Sequence, residues 1–314
     1  MRVVIPGGSG QIGGVLTAAF EAAGHEVTVL GRGGGNGRVV AWDARTLGPW
    51  VDAIDGADVV VNLAGRSVNC RYTDANRREI MDSRVDSTRV LGEAIAQAAN
   101  PPRVWLQSST ATIYAHRLDA PNDEATGILG GDEPGAPDTW RFSIDVARAW
   151  EAAAEHAPTP RTRTVLLRSA MVMDPGRGGV FDTLLGLVRR GLGGRAGDGR
   201  QYLSWIHHAD FTRALLWLIE HEEVDGAVNL AAPGPLPNAD FMRALREAWG
   251  IRVGLPATRP MVELGALAMR TESELVLKSR RVVPGRLLDA GFAFEHPAWP
   301  AAARALCAEW RAAR

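Results

Sequence analysis

The amino-acid sequence predicts an α/β protein, in which a doubly wound parallel sheet is followed by a smaller mixed α/β C-terminal domain. Through the first 170 residues, short β-branched runs alternate with helical stretches, which is typical of a parallel sheet with crossover helices. A glycine-rich turn joins the first strand signal to the first helix signal. Beyond residue 174, glycine and proline become dense and the strand signals shorten. These observations separate a regular first half from a less regular second half.

Six strand signals and three helix signals account for the first half. The run at residues 58–63 is almost continuously apolar, as expected for a strand that is covered on both faces. The long second helix ends where Pro101 and Pro102 follow it. The predicted strands are residues 2–5, 26–30, 39–42, 58–63, 103–107 and 164–168. The predicted helices are residues 12–23, 73–99 and 139–156.

The second half carries five helix signals and only short strand signals. We expect residues 1–171 to form the sheet domain, with residues 206–222 returning to pack on it. Residues 172–205 and 223–314 are expected to form the C-terminal domain. The predicted helices are residues 180–190, 209–221, 238–249, 284–290 and 299–311.

Composition excludes several classes of protein. The chain carries 35 Lys and Arg against 36 Asp and Glu, so it has no electrostatic footprint for nucleic acid or an acidic membrane surface. No apolar run approaches the roughly 18 residues that span a bilayer, and the chain opens without a signal-peptide pattern. Cys70 and Cys307 are too few for a disulfide scaffold or a cysteine-based zinc site. We expect a reduced, cytoplasmic protein without a metal, nucleic-acid or membrane partner.

The glycine-rich turn is the strongest local motif. It places Gly7, Gly10 and Gly13 between a strand and a helix, the context in which such a motif predicts a dinucleotide site. Gly7 permits a tight turn, Gly10 allows the backbone to approach a pyrophosphate, and Gly13 allows close packing of helix on strand. Gln11 and Ile12 begin the helix, whose free N–H groups and dipole stabilise phosphate charge. The alternative is a glycine turn that binds no ligand.

The GxxGxxG spacing resembles that of the short-chain dehydrogenase/reductase superfamily. The segment Asn62-Leu63-Ala64-Gly65 ends the fourth strand, like the turn that lies beside the adenine and ribose in that superfamily. The resemblance therefore implies Leu63, Ala64 and Gly65 as cofactor contacts. Asp43 follows the third strand, and the resemblance implies that it faces the adenine ring.

Later segments narrow the resemblance to one group. Ser108 and Ser109 begin the run SSTATIY, which is similar to a stretch of extended members such as sugar-nucleotide epimerases. Residues 205–210, 229–233 and 283–292 resemble the atypical extended epimerase-family proteins, a group that includes the bacterial YfcH-like proteins. The resemblance covers essentially the whole chain. It implies a Rossmann nucleotide-binding domain, Ser108 and Ser109 close to the cofactor, a small-molecule substrate and a homodimer as one candidate assembly.

The end of the second strand predicts a preference for NADP(H). NAD-preferring sites usually place a carboxylate there, whereas this strand is followed by Arg32. A guanidinium can bind the adenosine 2′-phosphate in bidentate fashion, and Arg38 in the same glycine-rich loop is a second candidate. The resemblance also implies an arginine at this position. The alternative is a solvated surface arginine.

The usual catalytic pair of the superfamily, Tyr-x-x-x-Lys, is absent from the sequence. The only lysine, Lys278, is remote in sequence from the expected site, and we expect it to be remote in space. On the helix that should carry the pair, one register places Ser143 and Ala147 there, and the neighbouring register places Phe142 and Val146 there.

The resemblance still implies some site residues. Thr110 keeps the hydroxyl that orients the substrate carbonyl in the family, although a strand-end threonine can instead bind its own backbone. Arg84 stands where extended members tend to carry an asparagine, and it is a candidate cofactor contact. Tyr114 is the first candidate for the proton donor and His207 the second. Without a lysine neighbour, the pKa of Tyr114 is expected to stay near about 10.

Two functions remain open from the sequence. One is an NADP(H)-dependent oxidoreductase or epimerase that acts on a small carbonyl or sugar-like substrate. The other is an NADP(H)-binding protein without turnover, such as a redox sensor or an assembly factor. The intact glycine motif supports both, and the missing catalytic pair favours the second.

Overall fold

Seven parallel strands form the central sheet of the computed structural model, which describes residues 1–33, 39–134 and 136–314. With the strands numbered in chain order, their order across the sheet is β10-β6-β5-β4-β1-β2-β3. The order reverses at β1, so the sheet is doubly wound and the predicted fold class is confirmed. The strands are β1 (Arg2–Pro6), β2 (Glu26–Gly31), β3 (Val39–Ala41), β4 (Val59–Asn62), β5 (Val104–Thr110), β6 (Arg163–Ser169) and β10 (Gly226–Leu230).

Helices cover both faces of this sheet. Alternate residues of a strand point to opposite faces, and Val3 and Val4 of β1 accordingly belong to two different cores. The first core includes Leu16 and Phe211 from α1 and α5, and the second includes Leu91 from α2. Both faces of β1 are therefore buried, which explains its unbroken apolar run. The helices are α1 (Gln11–Ala22), α2 (Asp74–Gln97), α3 (Asp138–Glu155) and α5 (His208–Glu220).

Strand β10 joins the main sheet from the second half of the chain. It pairs in parallel with β6, so that Val228 lies opposite Leu167. The boundary predicted at residue 223 assigned this strand to the C-terminal domain, and that assignment was wrong. Strand β10 is only five residues long, and the helices Val180–Arg189 and His208–Glu220 separate it from β6 in the chain. It therefore carries no local pattern that shows which sheet it joins.

The remaining C-terminal elements pack around a separate core. Here the ring of Trp299 stacks on Phe241, with ring centroids 3.9 Å apart. A helix at Arg259–Ala268 (α7) was not predicted from the sequence, and its apolar side chains Met261, Leu264 and Leu267 are exposed rather than packed in a core. No described helix is both long and apolar enough to cross a membrane. The other elements are β7 (Met171–Met173), α4 (Val180–Arg189), β8 (Tyr202–Leu203), β9 (Trp205–His207), β11 (Leu236–Pro237), α6 (Asn238–Trp249), α8 (Glu274–Leu277), α9 (Gly285–Asp289) and α10 (Trp299–Ala312).

Candidate functional site

A cavity of about 550 Å³ lies where the C-terminal ends of β4, β5 and β6 meet. In doubly wound sheets this edge is the usual place for ligands. Two groups of residues in the cavity lining are termed the glycine wall and the carboxylate wall. The glycine wall consists of Gln11, Ile12 and Leu63, and the carboxylate wall consists of Tyr72, Ser143, Glu274 and Arg280. Other lining residues are Arg84, Ser108, Ser109, Thr110, Thr112, Phe142, Val146 and Trp150.

The glycine-rich turn is packed too tightly to accept side chains. Gly7 has a φ of 77°, and a Cβ placed there would lie 2.7 Å from the amide nitrogen of Ala64. A Cβ on Gly13 would lie 2.3 Å from the carbonyl oxygen of Gly8. Gly10 precedes α1, which begins without a side-chain cap or an acidic residue in its first turn. The first turn of α1 therefore presents backbone N–H groups that can bind an anion.

The turn after β4 supports the glycine wall from the neighbouring strand. The Oδ1 of Asn62 accepts a hydrogen bond from the Ala64 amide at 3.0 Å, and its Nδ2 donates to Oε1 of Gln107 at 2.9 Å. Leu63 lines the cavity, while Ala64 packs beneath Gly7. Gln107 was not predicted from the sequence, because its role depends on the pairing of β4 with β5.

Gln11 connects the glycine wall to the segment after β7. Its Nε2 donates to Oδ1 of Asp174 at 2.9 Å. The same amide packs against Gly179, because a Cβ placed on Gly179 would lie only 2.3 Å from Nε2 of Gln11. The Gln11 side chain therefore spans from the glycine-rich turn to the loop before α4, and it lines the cavity between them.

Arg32 and Asp43 lie outside the cavity lining. Arg32 is exposed directly after β2, and Arg38 lies outside the described residues. Asp43 accepts hydrogen bonds from the hydroxyl and amide of Thr46 and from the amide of Arg45. These bonds lower the pKa of Asp43 to about 2, with the Thr46 hydroxyl making the largest contribution. Asp43 thus organises its own turn.

Arg84 brings a positive charge to the cavity lining. Its guanidinium lies 5.0 Å from the ring centroid of Trp150, and Nη1 donates to the carbonyl of Ile80 at 3.0 Å. Its aliphatic stem packs against Gly65, since a Cβ there would lie 3.3 Å from Cγ of Arg84. Burial lowers the pKa of Arg84 to about 10, so the group stays cationic near neutrality. Of the described carboxylates, none forms an ion pair with Arg84.

The end of β5 brings several predicted residues to the cavity. Ser108, Ser109 and Thr110 all line it. The Oγ1 of Thr110 accepts a hydrogen bond from the Thr112 amide at 3.1 Å, which leaves its hydroxyl hydrogen free to donate. Ser109 donates to Oε1 of Glu151, which belongs to a buried cluster behind the cavity.

Tyr114 is part of that buried cluster and does not line the cavity. Arg168 binds Glu151 through two hydrogen bonds, at 2.9 and 2.8 Å, and donates a third to the Tyr114 hydroxyl at 3.0 Å. The Tyr114 hydroxyl donates in turn to Oδ1 of Asn229 at 3.0 Å. Burial raises the pKa of Tyr114, so the expectation that it stays near its ordinary value was wrong. The hydroxyl is fully used in joining β6 to β10.

His207 is likewise buried away from the cavity lining. It precedes α5 and accepts a hydrogen bond from the Ala209 amide through Nδ1, while burial lowers its pKa. Its Nε2 lies 3.5 Å from Oε1 of Glu309, and His208 contacts the other oxygen at 2.8 Å. Within the described chain, His207, His208 and Glu309 form one group with metal-ligand chemistry, their ligand atoms lying within 4.8 Å of one another.

The carboxylate wall joins residues that are distant in the chain. Ser143 of α3 donates a hydrogen bond to Oε2 of Glu274 at 2.6 Å, and its Oγ lies 3.5 Å from the Tyr72 hydroxyl. Nη2 of Arg280 lies 3.5 Å from Oε1 of Glu274. The sequence indicated Ser143 only as the replacement for a tyrosine. It missed Tyr72, Glu274 and Arg280, because no local motif marks them.

Lys278 is close to this wall, contrary to expectation. Its Nζ donates to the carbonyl oxygen of Thr112 at 2.8 Å, two residues beyond Thr110, and its side chain is fully buried. Burial, with the nearby charge of Arg280, lowers the pKa of Lys278 to about 8. Separation in sequence was a poor guide here, because residues 278–282 return across the end of β5. The lysine lies behind the cavity lining and does not reproduce the missing Tyr-x-x-x-Lys arrangement.

Comparisons with known proteins agree with this architecture. Residues 3–231 match the NAD dependent epimerase/dehydratase family, and residues 258–306 match a domain of unknown function, DUF1731. The human epimerase family protein SDR39U1 is 34% identical over 311 residues, covering 98% of this chain and 100% of that protein. An epimerase family protein of Mycobacterium leprae is 33% identical over 94% of this chain and 92% of its own length.

Solved structures extend the comparison. The crystal structure of human SDR39U1 (isoform 2) with NADPH superposes with a TM-score of 0.86, at 33% identity, and covers 98% of this chain and 99% of that chain. A nucleoside-diphosphate sugar epimerase from Corynebacterium glutamicum has a TM-score of 0.75 at 30% identity, covering 96% of this chain and 57% of its own. The fold, the glycine-rich turn and the full-length similarity agree: the chain belongs to the NAD-dependent epimerase/dehydratase family, among the extended short-chain dehydrogenase/reductases.

Proposed function

We propose that the protein is an NADP(H)-dependent oxidoreductase or epimerase that acts on a small carbonyl or sugar-like substrate. The observation that carries the proposal is the continuity of one cavity, which joins the start of α1 to Thr110 at the end of β5. Its volume of about 550 Å³ lies within the range of small-molecule pockets. The NADPH in the structure of the human relative supports the same cofactor class for this chain.

The residues present fit a dinucleotide. At Gly7 and Gly13 the backbone fills the space of a Cβ, which sets the shape of the turn, and Gly10 has no side chain to separate the turn from a pyrophosphate. The uncapped first turn of α1 offers N–H donors to the phosphates, and Arg32 stands where a 2′-phosphate is recognised. When bound, the nicotinamide supplies or accepts a hydride. Arg84 adds a cation to the cavity lining for the cofactor or for an electron-rich substrate oxygen.

Thr110 orients the reacting oxygen in this proposal. The Oγ1 of Thr110 accepts a hydrogen bond from the Thr112 amide on one lone pair. The Thr110 hydroxyl hydrogen can then be donated to a carbonyl oxygen in the cavity. Phe142, Val146 and Trp150 of α3 provide an apolar wall that excludes water from this region. The side chains thus favour hydride transfer to a small polar group held against an apolar surface.

The preference for NADP(H) is tested by calorimetry with NADPH and NADH. For Arg32→Ala we expect NADPH affinity to fall about 10- to 100-fold, since hydrogen bonds to charged groups contribute about 1.5–3 kcal/mol. NADH affinity should be unchanged. Arg304→Ala, an exposed arginine on α10, is the matched control and should change neither affinity. An unchanged ratio of the two affinities in Arg32→Ala would remove Arg32 from the phosphate site.

Turnover is tested with a panel of small aldehydes, ketones and nucleotide-sugars. Oxidoreduction is followed at the nicotinamide absorbance, and epimerisation, which consumes no net cofactor, is followed by chromatography of the sugar products. NADPH consumption or product formation with any of them supports an enzyme. Tight, stoichiometric NADPH binding with neither consumption nor product formation across the panel would contradict catalysis and favour the binding protein without turnover. Failure to bind NADPH would contradict both functions.

A further inference from the structure

The carboxylate wall contains an acid in hydrogen-bond contact with a cavity-lining hydroxyl. Glu274 is 1% exposed, yet it lines the cavity together with Ser143. The Ser143 hydroxyl lies 2.6 Å from Oε2 of Glu274, which is a short hydrogen bond. Ser143 also stands, in one register, where the superfamily carries its catalytic tyrosine. A hydroxyl at that position is thus retained, with a carboxyl group directly behind it.

The second oxygen of Glu274 is only weakly engaged. Its Oε1 is buried and makes no hydrogen bond, and the nearest cation is Nη2 of Arg280 at 3.5 Å. The Arg280 guanidinium is held mainly by acceptors other than the Glu274 carboxylate. Its Nε donates to the Thr112 hydroxyl at 3.0 Å. Its Nη1 contacts the backbone carbonyls of Glu274, Leu275 and Lys278. Its charge is therefore available to stabilise a carboxylate without fixing Glu274 in an ideal ion pair.

The titratable surroundings of Glu274 come from three segments. Burial raises its pKa, while Arg280, the Ser143 hydroxyl and Lys278 act in the opposite direction and Glu272 adds to the rise. Burial and the charge of Glu274 raise the pKa of Tyr72 to about 12, so that this phenol stays neutral. Of the hydroxyls on this wall, only Ser143 lies within hydrogen-bond distance of a carboxyl group.

A purely structural ion pair is the competing interpretation, in which Glu274 and Arg280 simply anchor α8. The Glu151–Arg168 pair is an example of a structural ion pair in this protein. It has two short hydrogen bonds and lies behind the cavity. Glu274 differs in both respects, because one oxygen lacks a hydrogen bond and the side chain lines the cavity. The comparison within one chain favours a chemical role for Glu274.

We propose that Glu274 is the acid–base group of the site and that Ser143 relays its proton to the substrate, in place of Tyr-x-x-x-Lys. In the direction of reduction, the carbonyl carbon would take the hydride that a bound nicotinamide supplies, and the π electron pair would move to the carbonyl oxygen. That oxygen takes the Ser143 proton, and Ser143 takes the proton of Glu274. The carboxylate left behind is stabilised by Arg280 and regains its proton from water. Oxidation of an alcohol runs through the same atoms in reverse.

The inference rests on the proposed function, so its kinetic test uses a substrate found in the panel. Glu274→Gln and Ser143→Ala should lower kcat by about 10²- to 10⁴-fold, the usual contribution of acid–base catalysis, with unchanged NADPH affinity. Ser143→Thr keeps a hydroxyl and should retain most of the activity. Glu272→Gln is the matched control, because Glu272 is a buried carboxylate two residues away that does not line the cavity. It binds Arg71 and the backbone amide of Tyr72, so the Tyr72 side chain is left in place.

A second readout needs neither cofactor nor substrate. In protein labelled with ¹³C at the glutamate carboxyls, the resonance that disappears in Glu274→Gln should titrate at a higher pH than the exposed glutamates. Its titration should move in Ser143→Ala. In Glu272→Gln the resonance should be retained and titrate at a somewhat lower pH, because one nearby negative charge is removed. A resonance that titrates with the exposed glutamates would overturn the assignment of Glu274 as the proton donor.

The outcomes separate the two proposals. Wild-type protein that neither consumes NADPH nor converts any substrate of the panel overturns the proposed function and the catalytic role of Glu274 with it. Wild-type turnover that persists at full rate in Glu274→Gln overturns this inference alone and leaves the proposed function intact. Loss of activity in Glu274→Gln, with unchanged NADPH affinity and full activity in Glu272→Gln, supports both.

Discussion

The two walls of the cavity are built in different ways. The glycine wall comes from short, contiguous segments at residues 7–13 and 62–65, and its shape is set by backbone packing. The carboxylate wall is set by side chains, and the hydrogen bond from Ser143 to Glu274 joins residues 131 positions apart. A site that depends on backbone approach must use glycine, and glycine spacing is visible in a sequence. A site that depends on side-chain contacts across the fold leaves no local pattern.

The largest effect is expected from filling the space beside the glycine-rich turn. In Gly13→Ala the new Cβ would lie 2.3–2.5 Å from backbone atoms of Gly8, which cannot move as a flexible side chain does. We expect a loss of about 3 kcal/mol in the free energy of unfolding, at the upper end for overpacking. NADPH affinity should also fall at least about tenfold, a loss of about 1.4 kcal/mol, since Gly8 belongs to the proposed phosphate turn. Denaturant unfolding and calorimetry measure the two effects.

Gly14→Ala is the matched control for this variant. A Cβ on Gly14 meets no atom within 4 Å, and the residue lies one position further along the same helix. Its stability should stay constant or rise by up to about 1 kcal/mol, because alanine is the better helix former. Equal effects of the two substitutions would contradict the close backbone packing on which the glycine wall depends.

A smaller effect is expected from Tyr114→Phe, which tests whether the residue is structural or chemical. Loss of the hydroxyl leaves Oδ1 of Asn229 and Nη1 of Arg168 without this partner, and should cost about 1–2 kcal/mol of stability. NADPH affinity and turnover should be retained, because Tyr114 does not line the cavity. Thermal unfolding and initial rates provide the measurements. A large loss of turnover in a stably folded Tyr114→Phe protein would restore Tyr114 as a candidate proton donor.

The smallest effect is expected in the pH dependence of stability at the carboxylate wall. Burial raises the pKa of Glu274 above its ordinary value of 4.5, so the folded state holds its proton more tightly than the unfolded state. This contribution to stability is fully present below the unfolded pKa and is lost as pH rises through the folded pKa. Each unit of pKa difference corresponds to about 1.4 kcal/mol.

Glu274→Gln removes this titration. Its stability relative to the wild type should therefore increase as pH rises from about 4 towards 8. Urea unfolding at a series of pH values measures the difference, and Glu272→Gln serves as the reference variant. A difference that stays constant across this range, or that decreases, would contradict a raised pKa for Glu274.

The sequence was informative where periodicity and glycine spacing carry the structure. The six predicted strands of the first half form the parallel sheet, and Gly7 and Gly13 lie in close backbone contacts. It failed where the chain returns over long distances. Lys278 was expected to be remote, but it contacts Thr112, and β10 was assigned to the wrong part of the molecule. Such returns depend on tertiary packing rather than on local propensity.

The same distinction explains the outcome for the candidate proton donors. Tyr114 follows Thr110 closely, so proximity in sequence suggested a shared site. The short helical turn at Ala111–Ile113 instead directs Tyr114 into the core, where Arg168 and Asn229 occupy its hydroxyl. Nearness along the chain indicates a common loop, but it does not indicate which way a side chain faces.

Strand β10 is synthesised long after β6, the strand with which it pairs. Until residues 226–230 leave the ribosome, the backbone of β6 is an open sheet edge, with Val165 and Leu167 already committed to the core. Unpaired apolar edges recruit other strands, so a nascent chain that stops between residues 169 and 226 is exposed to intermolecular pairing and aggregation. Closing that edge requires parallel pairing of two strands that are distant in the chain, which is an intrinsically slow step. We therefore expect a pause in synthesis across this interval to lower the yield of folded protein.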